Sequence, residues 1–216
     1  MDLPQLHLQE APIRHPNCCL SLSLDLLRLL TQSFSKSALS GQTPTVLSIG
    51  SGSGLLEALL LAHVQSQSHS ESRDDALADC LNVEGVEVQQ SSGKDPVNRY
   101  LPEQAIYTVR GTWDVVSRLH DPDVTGLMFV YPRQPTLVSA YIEAITERDP
   151  NIEVVVWLGP MADWEVFAPC LEINGKHQKA LFTIYEKRQG MEAGLDEYEM
   201  MVVLRRYNHD IKNAST

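Results

Sequence analysis

The sequence is short of positive charge. Its 216 residues hold 17 lysines and arginines against 28 aspartates and glutamates, which gives a formal net charge of −11. Proteins that bind a phosphate backbone usually present a basic face, so this balance argues against a nucleic-acid partner and against an anionic membrane surface. The densest basic cluster is the pair Arg205-Arg206, which is too small to change that expectation.

Cysteine is also scarce, and the spacing of the cysteines excludes two kinds of site. The four cysteines lie at positions 18, 19, 80 and 170 and form no Cys-x-x-Cys pair, so neither a zinc ribbon nor a thioredoxin-type site is indicated. We expect all four to be reduced thiols of an intracellular protein. His63 and His69 have no matching ligand set nearby, so no metal site is predicted.

Long hydrophobic runs are missing as well. No stretch approaches the ~18 uninterrupted apolar residues that a membrane-spanning helix requires. The first residues, Met-Asp-Leu-Pro, are unlike a signal peptide. Since 43% of the residues are hydrophobic, the chain can still bury a sizeable core. We therefore expect a cytoplasmic protein made of one domain with appendages.

The most informative motif lies in residues 45–61, TVLSIGSGSGLLEALLL. A short apolar run typical of a strand is followed by Gly50, Gly52 and Gly54, and then by a run rich in leucine and alanine. A strand, a glycine turn and a helix in this order are typical of the start of a nucleotide-binding α/β unit. Glycine permits the positive φ of the turn, and the N-terminus of the helix offers free N–H groups to a ligand. An ordinary tight turn without a ligand is the alternative.

The spacing of the glycines narrows the class of ligand that this loop is expected to bind. A dinucleotide fingerprint reads G-x-G-x-x-G/A, and a P-loop needs Gly-Lys-Ser/Thr. Here the pattern is G-x-G-x-G, Leu55 occupies the last position of the dinucleotide motif, and no lysine is near. Residues 48–54, SIGSGSG, resemble the first motif of the class I S-adenosylmethionine-dependent methyltransferases, whose loop wraps the amino-acid part of the cofactor. The acidic residue usual two positions before the first glycine is replaced by Ser48.

The second predicted strand, residues 81–88, ends in Gly-Val-Glu-Val. In the family that the loop resembles, an acidic residue at this point accepts the ribose hydroxyls, and a carboxylate suits two donors because its oxygens are acceptors only. Glu87 is the preferred residue and Glu84 the competitor. Strand alternation places them on opposite faces, so at most one is expected to serve. A polar insertion at residues 65–79 explains the long separation from Gly54.

The same resemblance implies an adenine contact after the third predicted strand, residues 105–109. Thr112 supplies a hydroxyl there, and Trp113 can stack or line the pocket. A core position for Trp113, at the start of a helix over residues 113–118, is the alternative. The cofactor-binding residues implied by the resemblance are Ser48, Gly50, Ser51, Gly52, Gly54, Glu87, Thr112 and Trp113.

The fourth predicted strand, residues 126–131, is fully apolar, as a central parallel strand should be. It ends in Tyr-Pro-Arg-Gln-Pro, at the carboxyl edge where such sheets carry their active sites. No carboxylate or asparagine stands at this tip, so Tyr131 and Arg133 are the candidate catalytic residues. Arg133 can hold a substrate carboxylate or phosphate with two hydrogen bonds, and a solvated loop arginine is the alternative.

The order of elements predicts an α/β fold, a three-layer Rossmann-like sandwich. Five parallel strands, the fifth at residues 152–158, are followed by an antiparallel C-terminal hairpin, which makes a mostly parallel seven-stranded sheet. Residues 1–44 are predicted as an arm and a covering helix, 45–207 as the methyltransferase-like domain, and 208–216 as a tail. Residues 20–30 also alternate as a strand would at their start, but the helical period continues longer, so a helix is predicted, capped by Ser21 or Ser23.

The resemblance implies S-adenosylmethionine as cofactor and a methyltransferase acting on a small molecule or a protein side chain. A second hypothesis is a catalytically inactive binding module of the same fold, because Ser48 replaces the motif acid and the fourth strand tip lacks a carboxylate. A nicotinamide-dependent oxidoreductase is a third, and Leu55 and the lack of a Tyr-x-x-x-Lys motif disfavour it.

Overall fold

A computed structural model describes residues 6–35, 43–68, 81–89, 97–148, 150–171 and 181–207. The strands are β1 Ile13–His15, β2 Cys18–Leu22, β3 Thr45–Ile49, β4 Asn82–Val88, β5 Ile106–Val109, β6 Val124–Val130, β7 Val154–Pro160, β8 Phe182–Gln189 and β9 Glu199–Arg206. The α-helices are α1 Leu24–Ser35, α2 Leu55–Ser68, α3 Pro135–Arg148 and α4 Trp164–Leu171.

Seven of these strands form one sheet in the order β5-β4-β3-β6-β7-β9-β8. β3 pairs in parallel with β4 and β6, and the same direction continues to β5 and β7. β9 is antiparallel to both β7 and β8. The predicted mostly parallel seven-stranded sheet with a C-terminal antiparallel hairpin is therefore confirmed.

Helices cover both faces of the sheet because neighbouring residues of each central strand point to opposite sides. Val46, Met128 and Val156 pack on the face that α1 and α2 cover. Leu47, Phe129 and Trp157, the next residue in each strand, pack on the face that α3 and α4 cover. Buried on both sides, β3, β6 and β7 are mostly apolar, and the predicted three-layer arrangement is confirmed.

The N-terminal segment differs from the prediction of a helix starting at residue 20. Residues 18–22 form β2, which pairs antiparallel with β1, so the alternating Leu-Ser-Leu pattern at the start of this segment marks a strand. The helix begins at Leu24, because the hydroxyl of Ser23 accepts a hydrogen bond from the Leu26 N–H at 3.0 Å. The same hydroxyl donates to the carbonyl of Gly194 at 2.7 Å, which fixes the helix start to the core.

The alternative that a helix covers residues 113–118 is wrong. Residues 113–116 have no helical structure, and a 3₁₀ helix follows only at Ser117–His120. Asp114 accepts hydrogen bonds from the backbone and side chain of Arg110, which fixes a turn there. Helix α2 continues through the first four residues of the polar insertion predicted at 65–79. The rest of that insertion and the predicted tail, 208–216, lie outside the described residues.

Candidate active site

The glycine loop leaves the carboxyl end of β3 in a conformation that glycine favours. Gly50, Gly52 and Gly54 have φ of 81°, 60° and 76°. A Cβ atom added at Gly50 or Gly52 would meet no heavy atom within 4 Å, so the loop borders open space there. At Gly54 the added atom would lie 3.0 Å from Leu101, which makes this glycine a packing position. The first two glycines thus border the candidate ligand site, and the third supports them.

Asn98 holds the loop in place, and the sequence reasoning did not identify it. Its backbone N–H donates to the Gly52 carbonyl at 2.8 Å, and its side-chain amide donates to the Gly85 carbonyl at 3.2 Å. The Ser51 hydroxyl donates to Oδ1 of Asn98 at 2.6 Å. Asn98 is buried and has a φ of 52°, a conformation that asparagine tolerates better than most residues. An asparagine within a polar loop gives no sequence signal of this role.

Glu87 lies at the end of β4, across from the glycine loop. Its Oε2 accepts a hydrogen bond from the Gly52 N–H at 2.8 Å, and its Oε1 accepts one from the Val88 N–H at 2.9 Å. A carboxylate has about four lone-pair positions, so it retains acceptor capacity for a ligand. Glu84 lies elsewhere, in an ion pair with Arg118 at 3.0 Å. The structure therefore brings Glu87, and not Glu84, to the loop.

A cavity of about 520 Å³ opens between the glycine loop and the ends of β4, β5 and β6. Apolar side chains form much of its wall, as is typical of small-molecule sites. Seven of the ten site residues predicted from sequence line it: Gly50, Ser51, Gly52, Glu87, Thr112, Tyr131 and Arg133.

Ser48, Gly54 and Trp113 do not line the cavity. Ser48 is fully buried beneath the loop, and its hydroxyl donates to Oε1 of Glu57 at 2.5 Å. Trp113 is 74% exposed, so neither stacking in the pocket nor a core position describes it in this structure. Its ring lies over Gly111, where an added Cβ would come within 2.2 Å of it. Glu57, which does line the cavity, was not predicted, since a glutamate in a helix usually indicates a solvated face.

Tyr131 follows β6 with a φ of 47°, and this conformation turns the chain at the strand tip. Its hydroxyl donates a hydrogen bond to Glu199, a fully buried carboxylate that also binds Arg14 at 2.9 Å and the hydroxyl of Ser21. Burial and the bond to Glu199 raise the pKa of Tyr131 above its ordinary value. The phenol therefore keeps its proton at neutral pH, and it reaches the cavity as part of this cluster.

Arg133 is exposed at the same tip and lines both the cavity and an adjoining groove of about 390 Å³. Cys19, Tyr131, Pro132 and Arg133 are common to both spaces. The groove continues over α4 to Val166 and Phe167. A molecule in the groove would thus lie next to one in the cavity, with the strand tip and Cys19 between them.

The N-terminal arm closes one side of the cavity with Asn17, Cys18 and Cys19. The Ser53 hydroxyl donates to the Asn17 carbonyl at 2.6 Å, which ties the arm to the glycine loop. Burial, and to a lesser extent the charge of Glu57, raise the pKa of the Cys18 thiol to about 12. Among the described residues, Cys18, Cys19 and Cys170 are free thiols.

The described ranges contain neither a metal-binding cluster nor a membrane-spanning helix. No group of three or more His, Cys, Asp or Glu side chains there is arranged to hold a metal ion. In the same part of the chain, no helix combines the length and the apolar character needed to cross a bilayer.

No protein-family model and no curated protein sequence matches the chain. A candidate class I S-adenosylmethionine-dependent methyltransferase from Listeria monocytogenes, solved at 2.20 Å, matches in structure with a TM-score of 0.55 and 13% identity, over 87% of this chain and 61% of that one. The human methyltransferase 10 domain containing protein matches with a TM-score of 0.49 and 11% identity, over 87% and 85% of the two chains. The methyltransferase domain of bacterial CtHen1-CN matches with a TM-score of 0.48 and 14% identity, over 84% and 97%.

At these sequence identities, structural matches indicate only the fold. We use the Listeria structure for this inference because its TM-score, 0.55, is the highest of the three. Its likeness extends over most of this chain, and this chain spans 61% of its length. The strand order β5-β4-β3-β6-β7-β9-β8, with β9 antiparallel to both of its neighbours, agrees with this likeness. The chain therefore has the Rossmann-like fold of the class I S-adenosylmethionine-dependent methyltransferases.

Proposed function

We propose that this chain binds S-adenosylmethionine in the cavity and transfers its methyl group to a small molecule or a protein side chain. The observation that carries the proposal is the convergence of the open glycine loop and the Glu87 carboxylate on one cavity. Gly52 of the loop and Glu87 are 35 positions apart in sequence, so neither the loop nor the strand alone would produce this arrangement.

The residues at the cavity suit the parts of this cofactor. Gly50 and Gly52 leave room for close approach of a ligand to the backbone, because nothing occupies the space a side chain would take. Glu87 offers acceptors for two ribose hydroxyls, and Thr112 adds a hydroxyl at the end of β5. Bound there, the cofactor supplies an electrophilic methyl group, and the protein supplies position and orientation.

The adjoining groove is the proposed place of the methyl acceptor. Arg133 borders it and offers a guanidinium to a carboxylate or phosphate on the acceptor. The tip of β6 carries no carboxylate, and the Tyr131 phenol is engaged with Glu199. Because the strand tip itself offers no base, we expect an acceptor that loses a proton with little help, such as a thiolate, a neutral amine or an acidic hydroxyl. The carboxylate of Asp163, which also lines the groove, is the alternative base for an acceptor that needs one.

The second candidate is a binding module that has kept the fold without catalysis. The bond between Tyr131 and Glu199 favours it, because it leaves Arg133 as the only predicted catalytic side chain without a described partner. In this case the cavity still binds the cofactor, and the groove binds a second molecule that is not methylated.

Calorimetric titration with S-adenosylmethionine, beside NAD, tests the shared part of both candidates. Binding of S-adenosylmethionine without NAD binding supports the cavity assignment, and absence of S-adenosylmethionine binding contradicts both candidates. Incubation of the protein in a cell extract with methyl-labelled cofactor then separates them. Labelled product that disappears with Arg133→Ala supports the enzyme, while cofactor binding without any labelled product supports the module.

A further inference from the structure

Glu57 is the most unusual ionisable group of the cavity wall. It belongs to the first turn of α2, is 1% exposed, and lines the cavity with the glycine loop. Its neighbours in this turn, Leu55 and Leu56, are the apolar residues that such a buried helix face normally carries. Burial of a carboxyl group is costly unless partners compensate it, so packing alone does not account for a glutamate here.

The two oxygens of Glu57 differ in their surroundings. Oε1 accepts the hydrogen bond from the Ser48 hydroxyl at 2.5 Å. Oε2 is buried and has no hydrogen-bond partner in the part of the chain that the structure describes. No arginine, lysine or histidine of the described ranges forms an ion pair with it. The charged group that acts on it is Glu87, which has the same sign. The carboxyl group therefore lacks a positive partner.

We propose that Glu57 binds the α-amino group of S-adenosylmethionine, with Oε2 accepting a hydrogen bond from the ammonium. This inference rests on the proposed function and identifies one contact within its site. A cation is the partner that a buried carboxylate with a free oxygen accommodates best, since the hydrogen bond is charge-assisted. Glu57 is a binding residue in this assignment, and Ser48 positions its carboxyl group.

The position of the carboxyl group agrees with this assignment. Ser48 lies two residues before Gly50 on β3, and its bond to Oε1 holds the carboxyl group of Glu57, from α2, at the base of the glycine loop. Glu87, in contrast, already accepts two backbone N–H groups and lies on β4, which suits neutral hydroxyl donors. The two glutamates would then bind different ends of one ligand.

A purely structural role makes a different prediction. If Glu57 only anchors Ser48, a glutamine at this position keeps that hydrogen bond through its carbonyl oxygen and leaves ligand affinity unchanged. If Glu57 binds an ammonium, glutamine removes the charge and places an amide near a cation. The substitution Glu57→Gln therefore separates the two roles with little change of shape.

The test compares two probes by calorimetric titration at pH 7.5. S-adenosylhomocysteine carries the α-amino group, and 5′-methylthioadenosine has the nucleoside and sulfur without the amino-acid end. Glu57→Gln should weaken S-adenosylhomocysteine binding about tenfold or more and leave methylthioadenosine binding within about twofold. Glu84→Gln, the matched control on the other face of β4, should change neither affinity. An equal effect of Glu57→Gln on both probes, or none on either, overturns the inference.

A second measurement on the wild-type protein covers the case in which Glu57→Gln does not fold. Burial raises the pKa of Glu57 to about 7, with a smaller contribution from Glu87 and an opposing one from Ser48. An ammonium ligand favours the ionised form, so S-adenosylhomocysteine should bind about fivefold or more weakly at pH 6 than at pH 7.5. Cys18, with a pKa of about 12, stays protonated over this range.

The second probe controls for the other groups that face Glu57. Both ligands carry the ribose and share the proposed contact with Glu87, so the difference between the two pH profiles isolates the ammonium contact. Parallel profiles overturn the inference. If the wild-type protein binds neither probe at any pH, the proposed function itself fails, and this outcome is distinct from a failure of the Glu57 contact.

Discussion

The backbone N–H of Gly52 donates a hydrogen bond to Oε2 of Glu87 over 2.8 Å, which joins the glycine loop to the end of β4. The loop and the carboxylate are thus fixed relative to each other before any ligand binds. A ligand that contacts the loop backbone is thereby placed near the acceptor oxygens. Such preorganisation lowers the ordering cost of binding.

Replacement of Glu87 should weaken cofactor binding. Hydrogen bonds to a charged group contribute roughly 1.5–3 kcal/mol each, so Glu87→Ala should raise the Kd for S-adenosylmethionine at least about tenfold. Glu84→Ala is the matched control: it breaks the pair with Arg118 and should lower the free energy of unfolding by roughly 1–3 kcal/mol without changing the Kd. Titration calorimetry and urea denaturation measure the two effects. The reverse pattern would place the ribose contact at Glu84.

A side chain at Gly52 should block the cavity. Gly52→Val places a branched side chain in space that is open in the protein, so cofactor binding should be lost while the fold largely survives. Because φ is 60°, part of the effect is backbone strain. Gly190→Ala is the control at another glycine of positive φ, away from the cavity; it adds such strain together with a close contact of 3.2 Å to the Glu197 Cα, and it should leave affinity unchanged. A folded Gly52→Val protein with wild-type affinity would contradict the cavity assignment.

Arg133 and Tyr131 should affect turnover more than cofactor affinity. Arg133→Ala removes the guanidinium at the groove, so we expect loss of methyl transfer with an unchanged Kd for S-adenosylmethionine. Arg148→Ala, an exposed arginine at the end of α3, is the control. Tyr131→Phe removes a donor from buried Glu199, so turnover should fall together with stability, by roughly 1–3 kcal/mol of unfolding free energy. Wild-type turnover in Arg133→Ala would move the acceptor site elsewhere.

Cofactor binding should protect the N-terminal arm. The arm reaches the glycine loop through the bond between Ser53 and Asn17, so a ligand that orders the loop should also order the arm. Hydrogen exchange of residues 6–20 should slow when S-adenosylmethionine is added. Ser53→Ala should reduce this protection, and Ser66→Ala, which removes a hydroxyl that donates to the His63 carbonyl within α2, should not. Identical exchange with and without cofactor would exclude the arm as a lid.

Glu57 should make stability depend on pH. Its pKa rises from 4.5 to about 7 on folding, so its contribution to stability is fully present below about pH 4.5 and is lost as the pH rises through about 7. The shift corresponds to at most about 3 kcal/mol. Urea denaturation should therefore show Glu57→Gln gaining stability relative to wild type between pH 5 and pH 8. Glu165→Gln, on the exposed face of α4, should show no such gain. A constant difference between wild type and Glu57→Gln would show that Glu57 does not titrate in this range.

The sequence by itself was sufficient to predict the parallel sheet, its C-terminal hairpin and the glycine loop. The reason is that these features are local: an apolar run buried on both faces is a central strand wherever it packs, and three glycines at alternate positions mark a turn of positive φ. The resemblance to the methyltransferase family pointed to Glu87 at the end of the second predicted strand, and in the structure this residue lies beside the loop.

Only the tertiary structure decided what the buried polar side chains do. Glu57, Asn98 and Glu199 look like surface residues in the sequence, and each is buried because elements distant in the chain close over it. The partner of Glu199, Tyr131, is 68 positions away in the sequence, a distance at which residue pattern carries no information. Trp113 is the opposite case, an aromatic residue that is 74% exposed within the Arg110–Asp114 turn. Burial is a property of the assembled layers, and it sets the charge and hydrogen bonding of this site.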